Sequence, residues 1–411
     1  MRVHQLLICF SVEHHVFNYF ALLCEKVLTF LQSSAKFTRM KRAQHDIIVK
    51  DLARKMVFVN GPRQVGKTSL AFAISKGFEK SLYLNYDNIS HRDIIRKADW
   101  LPDTRLLILD ELHKMEGWKN YLKGIYDTKP AHQQILVTGS ARLEAFRQSG
   151  DSLAGRFFRH RLNPLSMAEI PDSTGNTLDL LLERGGFPEP FLSESIDDVN
   201  RWRLLYIDGL IRTDILDFEK IHDFRAIQLT LELLRRRVGS PVSWSSLARD
   251  VNCSPNTIKR YVEILESIFI IFRVHPFHRN IARSLLKEPK IYFYDTGMVI
   301  GDEGIRLENL VAVSLLKHLN WIEDCKGRRS ELKTLRTKEK KEVDFVMVED
   351  GKPKLIVEVK LSDTNISPSL NYFHKKYGFN AVQVVKNTNI ERMVEGIQLR
   401  RAVNFLKDLI I

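Results

Sequence analysis

The chain has 411 residues, 44% apolar and 27% charged, and its 63 Lys and Arg outweigh 50 Asp and Glu to give a net charge of +13. That length exceeds one ordinary hydrophobic core, so two to four domains are expected of a soluble, globular chain whose basic surplus favours polyanions such as nucleic acid or an anionic membrane surface. Cys9, Cys24, Cys253 and Cys325 form no CxxC pair, which argues against a disulfide framework or zinc site and places the chain in a reducing cytoplasm.

Residues 1–39 stand apart. Their apolar run Leu6–Val12 is stopped by Glu13, His14 and His15, and the next one meets Glu25 and Lys26. Neither reaches the roughly 20 residues of a membrane span, and one Arg with no small-residue cleavage site is a poor secretory signal. The plainest account is an extension that is not translated, with initiation at Met40 ahead of Lys41 and Arg42.

Met56–Asn60 is a short apolar run suited to a buried strand, and Gly61-Pro62-Arg63-Gln64-Val65-Gly66-Lys67-Thr68 follows directly. This is G-x-x-x-x-G-K-T between a strand and a helix that continues through Ser69 to Ile74. Gly61 and Gly66 let the backbone wrap phosphates, so that N–H groups of the loop and the helix start face negative charge. Lys67 is expected at the β- and γ-phosphates of ATP, and the Thr68 hydroxyl on Mg2+.

Leu106–Leu109 reads as a second buried strand, ending in Asp110-Glu111. Ligands of parallel α/β sheets sit at strand C-termini. Asp110 is therefore expected to hold Mg2+ through water, and Glu111 to polarise the attacking water. A third strand, Gln134–Val137, leads into Thr138-Gly139-Ser140-Ala141-Arg142; Ser140 is the first candidate to sense the γ-phosphate and Thr138 the second, a helix cap being the plain alternative. Arg156 is a candidate to stabilise transition-state charge, in the same chain or a neighbour, although Arg159 and Arg161 make it one of several nearby cations.

Taken together, Gly61–Thr68, Leu109-Asp110-Glu111, Thr138-Gly139-Ser140, Leu153-Ala154-Gly155-Arg156, Asn163-Pro164-Leu165-Ser166 and Gly185-Gly186-Phe187-Pro188-Glu189-Pro190 resemble the prokaryotic AAA-type ATPases that carry a C-terminal domain of unknown function. The resemblance runs from about Met40 to the end. It implies ATP binding on a core of about five parallel strands between helices, placed here at 40–170, with residues 171–225 as a helical lid or connector.

Residues 226–280 have the order of a winged helix-turn-helix: a helix through Leu229–Arg237, a second from Trp244, a turn at Asn252-Cys253-Ser254, a third helix from Pro255 to Ser267, and a β-rich Phe269–Phe277 as the wing. The third helix would present Asn256, Thr257, Lys259 and Arg260 to a DNA major groove, or else serve a protein partner. Residues 281–411 hold another constellation. Lys341–Val348 and Leu355–Lys360 are strands of a hairpin, with Glu358 and Lys360 on one strand face, Asp344 on the neighbouring strand, and Glu308 on the earlier helix Leu307–Leu319. Asp-x13-Glu-x-Lys resembles the PD-(D/E)XK nuclease fold, in which such carboxylates share Mg2+ or Mn2+ beside a Lys. No Pro precedes Asp344, which departs from the full motif. The basic run Lys333, Arg336, Lys338, Lys340 and Lys341 would lead a phosphate backbone toward that site.

The whole is expected to be an α/β ATPase that drives or gates a winged-helix and nuclease-like C-terminal half acting on nucleic acid. The alternative is a signalling switch whose C-terminal half binds a protein partner and has no nuclease activity.

Overall fold

A computed structural model of the chain describes residues 40–139, 153–171, 173–215, 224–277, 288–337, 339 and 341–409. The expected extension 1–39 and Ser140 lie outside these residues. Arg42–Ile411 form one compact unit.

Its first layer is built on strands that read as unbroken apolar runs because both faces are covered. Helix α1 (His45–Leu52) precedes β1 (Met56–Asn60), α2 (Lys67–Ser75), β2 (Ser81–Asn85), α3 (Ile89–Lys97), β3 (Leu106–Asp110), α4 (Trp118–Thr128), β4 (Gln134–Gly139) and β5 (Phe157–Arg161). The strands are parallel in the order β2-β3-β4-β1-β5. Period-two alternation sends Met56, Phe58, Leu107, Leu109, Ile135 and Val137 to one face, where Ile95, Trp118 and Leu122 of α3 and α4 close the core. Because β4 lies between β1 and β3, the C-terminal ends of all three open on one edge, the edge that carries Asn60, Asp110 and Thr138.

Three helices follow, α5 (Gly175–Arg184), α6 (Pro188–Leu192) and α7 (Ile196–Gly209). Gly185 and Gly186 of the Gly-Gly-Phe-Pro turn are forced by close approach, since a Cβ on Gly185 would collide with the Asp295 carboxylate and one on Gly186 with the Leu165 carbonyl. Phe187, Trp202 and Tyr206 then form an aromatic cluster, in which Trp202 and Tyr206 stack with centroids 4.6 Å apart and Phe187 is tilted against both.

Next come α8 (Phe224–Arg235), α9 (Trp244–Val251) and α10 (Pro255–Ser267), packed on one another through Leu231, Leu247, Ile258 and Val262. Asn252 supplies the left-handed turn between α9 and α10, and the Ser254 side chain caps α10 by accepting from Thr257 N. The expected wing is not a separate element. Strand β6 (Ile271–Pro276) pairs antiparallel with β7 (Lys290–Phe293) and parallel with β8 (Ser330–Arg336), so this hairpin is one edge of an eight-stranded sheet. A boundary at 280–281 would thus cut through a hairpin. The sheet continues with α11 (Glu303–Lys326) laid against it, β9 (Glu342–Glu349), β10 (Lys352–Lys360), α12 (Pro368–Tyr377), β11 (Asn380–Val385), β12 (Arg392–Val394), β13 (Ile397–Arg401) and α13 (Ala402–Lys407), in the order β12-β13-β11-β10-β9-β8-β6-β7. Among the described residues no helix is long and apolar enough to cross a membrane.

Candidate functional site

The loop after β1 turns sharply under the end of β5. Leu162 N donates to Asn60 O at 2.8 Å, and Gly61, at φ 152°, leaves no room for a Cβ against the Leu162 carbonyl. Gln64 and Gly66 also take positive φ, 58° and 99°, and α2 begins at Lys67. The Lys67 ammonium lies inside the loop, donating to the carbonyls of Gly61 (3.0 Å) and Pro62 (2.6 Å). From outside, Trp202 of α7 donates through Nε1 to Gln64 Oε1 at 2.6 Å. Arg63 and Ser69 border the same turn, and Val65 is fully buried.

Three hydroxyls converge on Asp110. Thr68 Oγ1 donates to Oδ2 at 3.1 Å, Tyr83 OH to Oδ2 at 2.7 Å, and Thr138 Oγ1 to Oδ1 at 2.6 Å. The parallel register Asp110↔Thr138 sets the last of these contacts, which makes Thr138 the described β4 residue that touches the carboxylate. Tyr83 was not legible in the sequence, where it is one aromatic among strand residues; only the β2–β3 pairing brings it to Asp110. Thr68 and Asp110 together offer the hard oxygen donors that Mg2+ accepts. Glu111 follows in the left-handed region (φ 55°), with Oε2 3.5 Å from His113 Nε2 and 3.7 Å from Lys114 Nζ. Burial pushes its carboxyl up, while Lys114 and Lys67 pull it back.

Arg156 is not at this edge. It stands before the first residue of β5, where its carbonyl accepts from Met56 N at 3.2 Å, so the length of the strand separates it from the loop. Its guanidinium grips Asp127 through Nε (2.8 Å) and Nη2 (3.0 Å). A transition-state role within its own chain is therefore withdrawn, because parallel strands carry their first residues to the sheet edge opposite the phosphates. Arg161 does reach the correct edge, but Asp324 and Glu323 of α11 hold it at 2.8 and 2.5 Å.

In the C-terminal half Val357 pairs with Phe345, which sets Asp344 opposite Glu358, and Glu308 of α11 shares a cation with Asp344. A buried cation sits among these carboxylates. Lys290 Nζ of β7 is 2.7 Å from Glu342, 3.5 Å from Glu308 and 3.9 Å from Asp344. Tyr292 OH also donates to Glu308 at 2.6 Å, Val359 N to Asp344 at 2.9 Å, and Lys360 lies 2.8 Å from Glu358. Among the described residues no three His, Cys, Asp or Glu side chains converge as metal ligands. The expected Mg2+ or Mn2+ set of Glu308, Asp344 and Glu358 is thus not assembled: Lys290, invisible in the sequence pattern, lies against Glu308 and Asp344, Lys360 against Glu358, and the buried Oε2 of Glu358 has no hydrogen-bond partner among the described residues. Burial and the neighbouring Asp344 push both Glu308 and Glu358 up to about 7.

On α10, Asn256, Lys259 and Arg260 are exposed, whereas Thr257 is spent on the cap, with Oγ1 2.9 Å from Ser254 Oγ. Of the basic run, Lys333 is 3.3 Å from Glu331, Arg336 is 3.6 Å from Glu342, and Lys341 lies over the Tyr372 ring; Lys338 and Lys340 are outside the described residues.

Family models match three stretches: an AAA domain over residues 53–171, and domains of unknown function over 175–306 (DUF8612) and 303–402 (DUF4143). Uncharacterized proteins of Mycobacterium tuberculosis and Mycobacterium bovis are each 27% identical over 265 residues, 64% of this chain and 57% of theirs, so the chain spans little more than half the length of these relatives. An uncharacterized protein of Haemophilus influenzae is 23% identical, covering 91% of this chain and 99% of its own. Among solved structures, a Walker-type ATPase of Pyrococcus abyssi aligns with a TM-score of 0.43 at 14% identity, over 65% of this chain and 95% of that one. The RuvB Holliday junction branch migration motor of Thermotoga maritima aligns at 0.31 and 17%, over 56% and 87%. The chain carries an AAA-type P-loop ATPase domain, followed by a distinct C-terminal domain of unknown function.

Proposed function

We propose that this chain binds ATP with Mg2+ and hydrolyses it, and that its C-terminal half is a nucleic-acid-binding arm governed by the nucleotide. The observation that carries the first part is the meeting of Thr68, Asp110 and Thr138 at one edge, beside Lys67 and Glu111. Lys67 exchanges its two carbonyl partners for oxygens of the β- and γ-phosphates, and the Thr68 hydroxyl and Asp110 hold Mg2+. The ion, when bound, spreads the charge that develops on the phosphate oxygens. Glu111 takes a proton from water as the water oxygen bonds to the γ-phosphorus; the bond to the β-bridging oxygen breaks, and ADP leaves with that electron pair. A carboxyl raised by burial is a better base for this step than a solvated one.

Support for the second part is the net charge of +13 and the exposed Asn256, Lys259 and Arg260 on α10. The alternative, a switch whose C-terminal half binds a protein and cuts nothing, is favoured at one point, the Lys290 ammonium among the carboxylates. Phosphate release with Mg2+, in the presence and absence of linear or circular DNA, tests both parts. A chain that releases no phosphate under any of these conditions would remove the ATPase reading, and release that ignores DNA at all salt concentrations would favour the switch.

A further inference from the structure

The Asn163-Pro164-Leu165-Ser166 segment is absorbed by neither site, yet it surrounds a fully buried ion cluster. Glu169 stands at the centre, with Oε1 accepting from Arg42 Nε (3.0 Å) and Ala43 N (3.1 Å), and Oε2 bound to the Lys317 ammonium of α11. Lys317 also donates to Pro164 O at 2.9 Å and Ser166 Oγ at 3.2 Å. Arg42 continues outward from Glu169. Its Nη2 donates to Asn163 O, and its Nη1 donates at 3.0 Å to the carbonyl of Val65, inside the phosphate loop.

That last contact acts on the loop through one rigid plane. In a trans peptide the C=O and the next N–H point in opposite directions. Arg42 thus holds the Val65 carbonyl toward itself and fixes the Gly66 N–H in the opposite direction, as a donor the loop can offer to phosphate. We propose that Arg42 and Lys317 are positioning residues for the phosphate loop, through which α11 of the C-terminal half keeps the nucleotide site in its binding form. The proposal rests on the ATP reading of the loop. Each link is a charge that burial prevents from exchanging its partner for water, so a displacement at Val65 is felt at Lys317 and the reverse. Linkage then requires reciprocity: if α11 raises nucleotide affinity, the nucleotide must stabilise the docking of α11 by the same factor.

The test uses the full chain with a fluorescent ATP analogue and Mg2+, steady-state hydrolysis, and hydrogen exchange along 303–326. Arg42→Lys keeps a cation beside Glu169 but cannot span the Val65 and Asn163 carbonyls together. It should fold, weaken analogue binding on the order of tenfold, and raise KM for ATP while leaving kcat near wild type, the pattern of lost ground-state binding. Lys317→Met should weaken binding in the same sense and abolish the protection of α11 that nucleotide gives the wild type, an effect that mere loss of packing would not produce. Should Lys317→Met fail to fold, Lys317→Gln, which keeps a donor beside Glu169 and leaves the Glu169–Arg42 pair intact, takes its place. Wild-type affinity in Arg42→Lys, or nucleotide protection of α11 that survives Lys317→Met or Lys317→Gln, overturns the proposal. A wild-type chain that binds no nucleotide removes the ATP reading and this proposal with it; wild-type binding with unchanged variants removes this proposal alone.

Discussion

The Thr138 hydroxyl on β4 donates to Asp110 Oδ1 on β3 at 2.6 Å, an edge contact made by register alone. Val at 138 keeps the strand but leaves that carboxylate oxygen short of a donor, which costs about 1–3 kcal/mol when the acceptor is buried. Thr138→Val is therefore expected to lower kcat on the order of tenfold or more, with Thr138→Ser restoring most of it. Equal rates for Thr, Ser and Val would show that the contact serves only the fold.

At the loop itself, Lys67→Ala should abolish nucleotide binding, since a methyl group replaces the cation at the phosphates. Glu111→Gln should bind ATP and turn it over on the order of 10²–10⁴ times more slowly, the usual worth of a positioned base. Equilibrium binding and single-turnover phosphate release separate the two, and wild-type turnover in Glu111→Gln would end the role given to that carboxylate.

Lys290 offers a gain-of-function test. With its ammonium in place the C-terminal pocket should show no Mn2+ binding of its own, measured in a Lys67→Ala background so that the nucleotide site stays silent. Lys290→Met frees Glu308, Glu342 and Asp344 from their common cation, and a titratable Mn2+ site should appear. Calorimetry reads both, and a wild-type pocket that already binds Mn2+ with high affinity would return the metal-dependent nuclease to consideration.

DNA binding, where present, should be largely electrostatic, each phosphate contact contributing about −0.9 to the slope of log affinity against log salt. Replacing Lys259 and Arg260 together by Ala should reduce the magnitude of that slope by about 2. A slope that does not change would take α10 out of the interface.

His275 on β6 sets a pH limit. Burial and the nearby Arg273 and Lys333 push its imidazole down to about 4, and Nδ1 accepts no hydrogen bond from the described residues. The unfolded chain, with an ordinary imidazole near 6.5, then binds more protons than the folded one between the two values. Stability contributed by this group is present above about pH 6.5 and lost as pH falls toward 4. Denaturation curves across that window should show the loss, and His275→Gln should flatten it; an unaltered slope would mean that other groups account for the acid limb.

Much of the nucleotide domain could be read directly, because a phosphate-binding loop is local: glycines, lysine and hydroxyl lie within eight consecutive positions, and each strand announces itself by an unbroken apolar run. What escaped was set by pairing across the sheet. Tyr83 reaches Asp110 only through the β2–β3 register, and Arg156 looked well placed until β5 proved parallel to β1, which carries its first residues away from the loop. The C-terminal half was harder for the same reason. Asp344 and Glu358 lie on neighbouring strands of a hairpin, which is also local, but Lys290 enters from a strand more than 50 positions earlier in the chain than Asp344. Likewise β6 reads as a wing because its nearest neighbour in sequence is a helix, whereas its partner β8 begins only at Ser330.

The union of β6 and β7 with β8 bears on modularity. A helix-turn-helix on a flexible tether can be exchanged between proteins as a cassette, because excising it exposes no backbone. Here, removing residues up to 280 would strip β8 of its neighbour and leave a bare strand edge, an invitation to pair with other copies. The three-helix head and the sheet behind it should therefore be inherited, expressed and lost together, and recombination that separates them is expected to yield aggregates instead of two working parts.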